Sequence, residues 1–144
     1  MNKIKEIFLK LIKLNSTPRG IASGVAIGAF IGVLPLYGLH TVLVVIAAVL
    51  IPRTNKVAIL LGTNISLPPT VPLITWSGYE IGRFVLPKSY PSLAEAYFKQ
   101  HITIETIKSI YYPLFVGSLI LGLICATILY FIILIIITRF KHKK

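Results

Sequence analysis

The sequence predicts an all-α integral membrane protein, and two observations predict it: the composition and the placement of the charges. Of the 144 residues, 56% are hydrophobic and only 13% are charged, whereas soluble domains carry roughly 25% charged residues. The charges are one-sided, with 15 Lys and Arg against 4 Asp and Glu. Because the basic residues flank apolar segments, we expect them to meet anionic lipid headgroups rather than nucleic acid.

Residues 1–15 predict an amphipathic helix that lies in the membrane interface. Ile4, Ile7, Phe8 and Leu11 recur at helical spacing, while lysines fill the other face. A soluble helix packed on its own protein is the alternative, but the chain offers little soluble mass to receive one.

Residues 18–52 predict the first of two helical hairpins broken by proline. No charge stands between positions 20 and 51, and this run as a helix would measure about 48 Å against about 30 Å of hydrocarbon. Pro35 and Gly38 interrupt it near the middle. We expect either a re-entrant hairpin or one crossing with an in-plane piece, and the bend must be shielded from lipid by protein or water.

Residues 56–87 repeat this pattern and predict the second broken hairpin, with Pro68, Pro69 and Pro72 at its centre. Paired broken segments indicate a binding site between them. Two re-entrant hairpins would dip from the same membrane face. In the alternative arrangement only the second segment crosses, and the distribution of basic residues does not separate the two.

The rest of the chain, 88–144, predicts one regular transmembrane helix. Residues 88–108 form a polar surface segment that begins with a capping box, Ser-x-x-Glu. The transmembrane helix spans 110–138, with Tyr111 and Tyr112 at a headgroup level, because a long uncharged run follows them. A basic tail, 139–144, ends the single membrane domain.

Four glycines at four-residue steps form the strongest local pattern: Gly20, Gly24, Gly28 and Gly32. A stripe without side chains lets another helix approach closely. We predict a helix-packing role, within the chain or between copies. A ligand passing close to the bare backbone is the alternative.

Seven polar residues near the bends are the candidate ligand-binding positions: Tyr37, His40, Asn64, Ser66, Thr70, Glu80 and Arg83. The first two lie beside a helix start that favours anions, although His40 can instead hydrogen-bond the loop. The next three can equally satisfy backbone groups that the prolines release. Glu80 and Arg83 are spaced to pair, either in a cavity or at the interface.

The sequence does not predict an enzyme. No nucleophile, base and orienting acid stand at a recognisable spacing, and no Gly-rich phosphate loop follows a strand. Cys125 is alone, which excludes a disulfide scaffold. We therefore expect no catalytic residue, no cofactor and no metal site.

Two motifs surround the bends. The first comprises Thr17-Pro18, Ala22, Gly24, Ala26, Gly28, Phe30, Gly32, Pro35, Gly38 and Thr41. The second comprises Gly62-Thr63, Ser66, Pro68, Thr70, Pro72, Tyr79 and Gly82. They resemble a bacterial membrane family, the domain-of-unknown-function family twenty sixty-two, with Leu67 and His40 departing from its common Asn and Gln. The resemblance spans about 16–86 and implies a multi-pass protein of the bacterial cytoplasmic membrane in a lipid-linked context. The broken hairpins are more distantly similar to DedA-type membrane proteins.

Two functions follow as expectations. The first is a carrier or flippase-like protein for an anionic lipid or small solute, working as a homo-oligomer because 144 residues are few for alternating access. The second is a non-catalytic scaffold or accessory subunit for a lipid-linked glycan or lipid enzyme, assembled through the glycine stripe. Both have anionic membrane lipids as partners and no nucleic acid.

Overall fold

The computed structural model describes residues 6, 17–36, 38–87, 89–98 and 103–141. Within these ranges the regular structure is helical and contains no strand, which confirms the predicted all-α class for the described chain. The helices are α1 (Pro18–Val33), α2 (His40–Leu50), α3 (Lys56–Gly62), α4 (Val71–Val85), α5 (Leu93–Phe98) and α6 (Ile104–Lys141), with a 3-10 turn at Thr63–Ile65. The predicted interfacial helix, 1–15, lies outside the described residues apart from Glu6.

Local sequence signals explain where these helices begin and end. The Thr17 hydroxyl accepts the Gly20 N–H at 3.1 Å, and Pro18 follows at the first helical position, where its missing N–H costs nothing. The predicted capping box is formed: the Ser92 N–H donates to a Glu95 carboxylate oxygen at 2.8 Å, and the Glu95 N–H donates to the Ser92 hydroxyl at 3.2 Å.

Helix α6 is the longest element, with 38 residues. Among the described residues it is the one helix long and apolar enough to cross a membrane, judged by length and composition. The predicted span 110–138 lies inside it. Because α6 runs the full height of the bundle, positions along it serve as a scale for the other helices.

Helix α1 has 16 residues, about 24 Å, and runs antiparallel to α6. Near the C-terminal end of α6, Ile21 and Ile137 share one buried cluster with Ala58. Near its N-terminal end, the Tyr111 hydroxyl donates to the Pro35 carbonyl at 3.1 Å. This hydrogen bond places the first bend beside Tyr111, at the edge of the uncharged run.

The chain then returns through α2 to the level from which α1 started. In the turn that follows α2, the Asn55 N–H donates to the Gly20 carbonyl at 3.0 Å. Residues 18–52 therefore go out along α6 and return to the level at which they start. The described chain buries no residue of α2.

Residues 56–87 do not return to the level of α6 at which they start. Ala58, at the start of α3, joins the cluster around Ile137, whereas Gly82, near the end of α4, lies against Pro113. These two positions on α6 are about 36 Å apart. Residues 56–87 thus follow a broken path from one end of α6 to the other, because α3 packs on α1 while α4 packs on α6.

Candidate functional site

An open groove lies at the N-terminal end of α6, beside the first bend. Its volume is about 890 Å³, within the usual 300–1,000 Å³ range of ligand pockets. Three parts of the chain line it: the first bend, the loop after α4 and the first turns of α6. The lining residues are Leu36, Leu86, Pro87, Tyr90, Ile107, Lys108, Ser109, Tyr111, Tyr112 and Phe115. We call this the aromatic groove.

Tyr111 joins two walls of the aromatic groove. Its hydroxyl donates to the Pro35 carbonyl, a group in a bend where no helical partner is available. Its ring lies 6.4 Å from the Phe115 ring, with the two planes 18° apart. The hydrogen bond thereby ties Leu36 and its neighbours to α6.

The third wall is positioned by a buried tyrosine on α4. Tyr79 is fully buried, and its hydroxyl donates to the Pro91 carbonyl at 2.7 Å. Because a buried hydroxyl without a partner is costly, this bond holds the loop close to α4. The neighbouring Tyr90 ring then lies 6.5 Å from the Tyr112 ring.

Lys108 supplies the cation of the groove. It is exposed and immediately precedes the uncharged run 109–138 of α6. Apolar and aromatic walls next to the Lys108 ammonium group match an amphiphile with an apolar tail and an anionic head. Tyrosine rings of this kind also suit the boundary between hydrocarbon and water.

At the first bend, the described candidate residue is His40, which bonds within the loop and does not line the aromatic groove. A ring nitrogen of His40, Nε2, lies 3.0 Å from the Leu34 carbonyl oxygen, which is the loop hydrogen bond considered as the alternative for this residue. Tyr37 lies outside the described residues.

At the second bend, the described bonds serve the backbone. The Thr70 hydroxyl contacts the Ile65 carbonyl at 2.7 Å and the Leu67 carbonyl at 2.8 Å. Asn64 is exposed and Ser66 is half-buried. None of these three polar residues lines the aromatic groove.

Glu80 and Arg83 form an ion pair on α4, in which one guanidinium nitrogen of Arg83 lies 2.9 and 3.0 Å from the two carboxylate oxygens of Glu80. Their side chains are 40% and 30% exposed, so the pair lies at the surface of the described chain. They do not line the groove either. The sequence placed its candidate site at the bends themselves, and the groove lies beside one of them.

The glycine stripe packs on α3 and the turns around it. A Cβ on Gly24 would stand 2.7 Å from the Asn55 carbonyl oxygen, and one on Gly28 would overlap the Ile59 carbonyl oxygen. Gly20 and Gly32 meet the backbone of Arg53 and Thr63 in the same way. The stripe is therefore occupied within the chain.

The sequence reasoning missed Tyr90 and Lys108, and it assigned Tyr111 and Tyr112 only to a membrane level. The signal was present in a weak form, since tyrosines stand on both sides of the polar segment 88–108. Spacing alone could not bring them together, because the loop after α4 decides where Tyr90 lies.

Comparison with known families gives one match that covers the whole chain. Residues 1–144 match a family described as uncharacterized protein conserved in bacteria (DUF2062). The chain belongs to this family. The match extends beyond the bends to the aromatic groove and the whole of α6. No curated protein and no solved structure matches the chain, so the groove has to be interpreted from its own chemistry.

Proposed function

We propose that this member of the DUF2062 family is a multi-pass protein of the bacterial inner membrane that binds an anionic lipid in the aromatic groove and carries it between leaflets. The observation that carries the proposal is the groove itself, with apolar aromatic walls and Lys108 just beyond the uncharged run of α6. A lipid tail would contact Leu36, Tyr112 and Phe115, while the headgroup would meet the ammonium group.

The surface of α6 supports the membrane part of the proposal. Only 11% of the residues in its most apolar stretch are buried, and large apolar side chains such as Leu123, Phe131 and Ile135 are exposed. Water-facing apolar surface of this extent is unfavourable. Hydrocarbon provides the cover that the described chain does not.

Reconstitution tests the carrier. Vesicles that contain phosphatidylcholine and a headgroup-labelled phosphatidylglycerol would be treated with a membrane-impermeant reductant, which destroys only the label in the outer leaflet. We expect the protected inner-leaflet label to be lost faster with the protein than in empty vesicles. An equal rate in both, across anionic and zwitterionic labels, would refute the carrier.

Two pairs of variants connect transport to the groove. We expect Lys108→Gln to reduce the preference for the anionic over the zwitterionic label, and Lys108→Arg to keep it, because the positive charge remains. Tyr112→Ala should slow both labels by removing a wall, whereas Tyr130→Ala, on the same helix outside the groove, should not. Equal effects of the two tyrosine variants would mean that transport does not depend on the groove.

A scaffold is the second candidate, and α2 favours it. Val45, Val49 and Leu50 are 57%, 70% and 73% exposed on this helix, which offers an apolar face to a second copy or a lipid enzyme. The glycine stripe does not serve this purpose, because α3 occupies it. Native mass measurement in detergent tests the scaffold. A monomer without a co-purifying protein would refute this second candidate function.

A further inference from the structure

Four exposed basic residues lie near the C-terminal end of α6, although they come from four separate parts of the chain. They are Arg19 in α1, Arg53 in the turn after α2, Lys56 at the start of α3 and Arg139 near the end of α6. We call them the basic end.

Packing of the apolar core brings three of these residues together. Ile21, Ala58 and Ile137 form one buried cluster, and each stands two residues from Arg19, Lys56 or Arg139. On a helix two residues rise about 3 Å, so the three cations lie just beyond the cluster.

The turn that carries Arg53 is held to the same place. The Arg53 carbonyl oxygen would lie 2.8 Å from a Cβ on Gly20. Thr54 and Asn55 are buried. The Thr54 hydroxyl donates to the Ile51 carbonyl at 2.7 Å, and the Asn55 N–H donates to the Gly20 carbonyl at 3.0 Å.

The carboxylates of the described helices lie toward the opposite end. Glu105 is in the first turn of α6, and Glu80 is on α4 two residues from Gly82, which contacts Pro113. Glu95 follows in α5. Between the two ends, 109–138 carries no charge. The bundle is thus cationic at one end and mixed in charge at the other.

We propose that the basic end binds the anionic phospholipid headgroups of the cytoplasmic leaflet, and that the aromatic groove consequently opens toward the opposite leaflet. Basic residues beside membrane spans stay on the cytoplasmic side, where anionic lipids attract them. Thr17 and Arg139 then lie on one face and Lys108 on the other. The proposal rests on the membrane span proposed above and not on transport by the groove.

Cysteine labelling in the bacterial membrane tests this orientation. In a Cys125→Ala background, Pro52→Cys would mark the basic end and Ser89→Cys the groove end, since both positions are exposed. With a membrane-impermeant maleimide, we expect the Ser89→Cys protein to label in right-side-out spheroplasts. The Pro52→Cys protein should label only in inverted vesicles.

Either of two labelling results would overturn the proposal. Labelling of both variants from one side would mean that residues 56–87 do not cross, and an exchanged pattern would place the basic end outside. Thermal unfolding of each variant in detergent confirms that it is folded. A carrier that moves no lipid in vesicles would leave the labelling pattern unchanged, so the two proposals fail separately.

A lipid measurement tests the headgroup contact itself. Protein purified from bilayers of phosphatidylcholine and phosphatidylglycerol would be analysed by native mass spectrometry for retained lipid. Changing Arg19, Arg53, Lys56 and Arg139 together to glutamine should reduce retained phosphatidylglycerol, whereas changing the three arginines to lysine should not. Unchanged retention in the glutamine variant would refute the contact, as would wild-type protein that prefers soluble heparin to phosphatidylglycerol vesicles.

Discussion

Residues 18–52 and 56–87 are both apolar segments interrupted by proline, but they take different paths along α6. The first passes from the level of Ile137 to that of Tyr111 and returns. The second starts near Ile137 and ends near Pro113. The comparison teaches that a proline ends a helix without deciding the direction of the next one.

The two bends also differ in level. The first lies beside Tyr111, at the edge of the uncharged run. Gly78 and Gly82 contact Ser118 and Pro113, and extending this antiparallel register back to the start of α4 places the second bend near about residue 125. The second bend is thus close to mid-height, where backbone groups need protein partners most, and the Thr70 hydroxyl serves two carbonyls there.

Gly28→Leu should produce the largest effect, because it breaks the contact that joins the two segments. Its Cβ would meet the Gly62 Cα at 2.8 Å and the Ile59 backbone, and backbone cannot move aside as a side chain can. We expect a loss at or above the upper end of about 1–3 kcal/mol, measured as a lower thermal midpoint in detergent. Val49→Leu, at a 70% exposed site on α2, is the control and should change little.

Gly82→Ala should affect the second segment alone. The added methyl would overlap the Pro113 carbonyl, so α4 must separate from α6 at a cost of about 1–3 kcal/mol. Hydrogen exchange should rise in 71–85 and stay unchanged in α1. Gly122→Ala is the matched control, since its methyl would lie 3.1 Å from the Phe30 ring and 3.5 Å from the Phe30 carbonyl oxygen, without overlap. Equal losses in the two variants would argue against the α4 contact.

Gly38→Ala should strain the first bend without any clash. Gly38 has a φ of +89°, and nothing lies within 4 Å of a Cβ built there. An alanine in a left-handed conformation costs about 1–2 kcal/mol, which denaturation in detergent can measure. Gly38→Asn should recover part of the loss, because asparagine tolerates this region. Wild-type stability of the alanine variant would contradict the role assigned to this turn.

Tyr111→Phe should have the smallest effect and the most local one. It removes the hydroxyl bound to the Pro35 carbonyl and keeps the ring, so we expect a loss of about 0.5–1.5 kcal/mol. Amides of 34–39 should exchange faster, while those around the second bend should not. Faster exchange at both bends would mean that they are coupled, and the comparison would then need revision.

Signals contained in one stretch of chain were predictable. The Ser92 and Glu95 capping box and the long apolar helix each depend on neighbours in sequence, and both are formed. The positions at which helices break were predictable for the same reason, because proline restricts its own backbone and that of the residue before it.

The sequence did not predict which helix surfaces pack against each other or which groups the polar side chains bond. The glycine stripe indicated a close helix contact, but only the structure shows that α3 makes it. Gly78 and Gly82 are also four residues apart, but only the structure shows that they pack on α6 around Gly117. His40 and Thr70 have the residue types of ligand sites, yet their described bonds go to nearby carbonyls.

By itself, the sequence determined the class of the protein, the excess of positive charge and the places where its helices end. These properties depend on the hydrophobic content and on backbone restrictions that act within a few residues. Only the tertiary structure decided that residues 18–52 return along α6 while residues 56–87 run to its other end. It also decided that four basic residues lie at one end of the bundle and that three tyrosines line a groove at the other. Those outcomes depend on which small-residue faces pack together, and such packing is a property of pairs of distant segments.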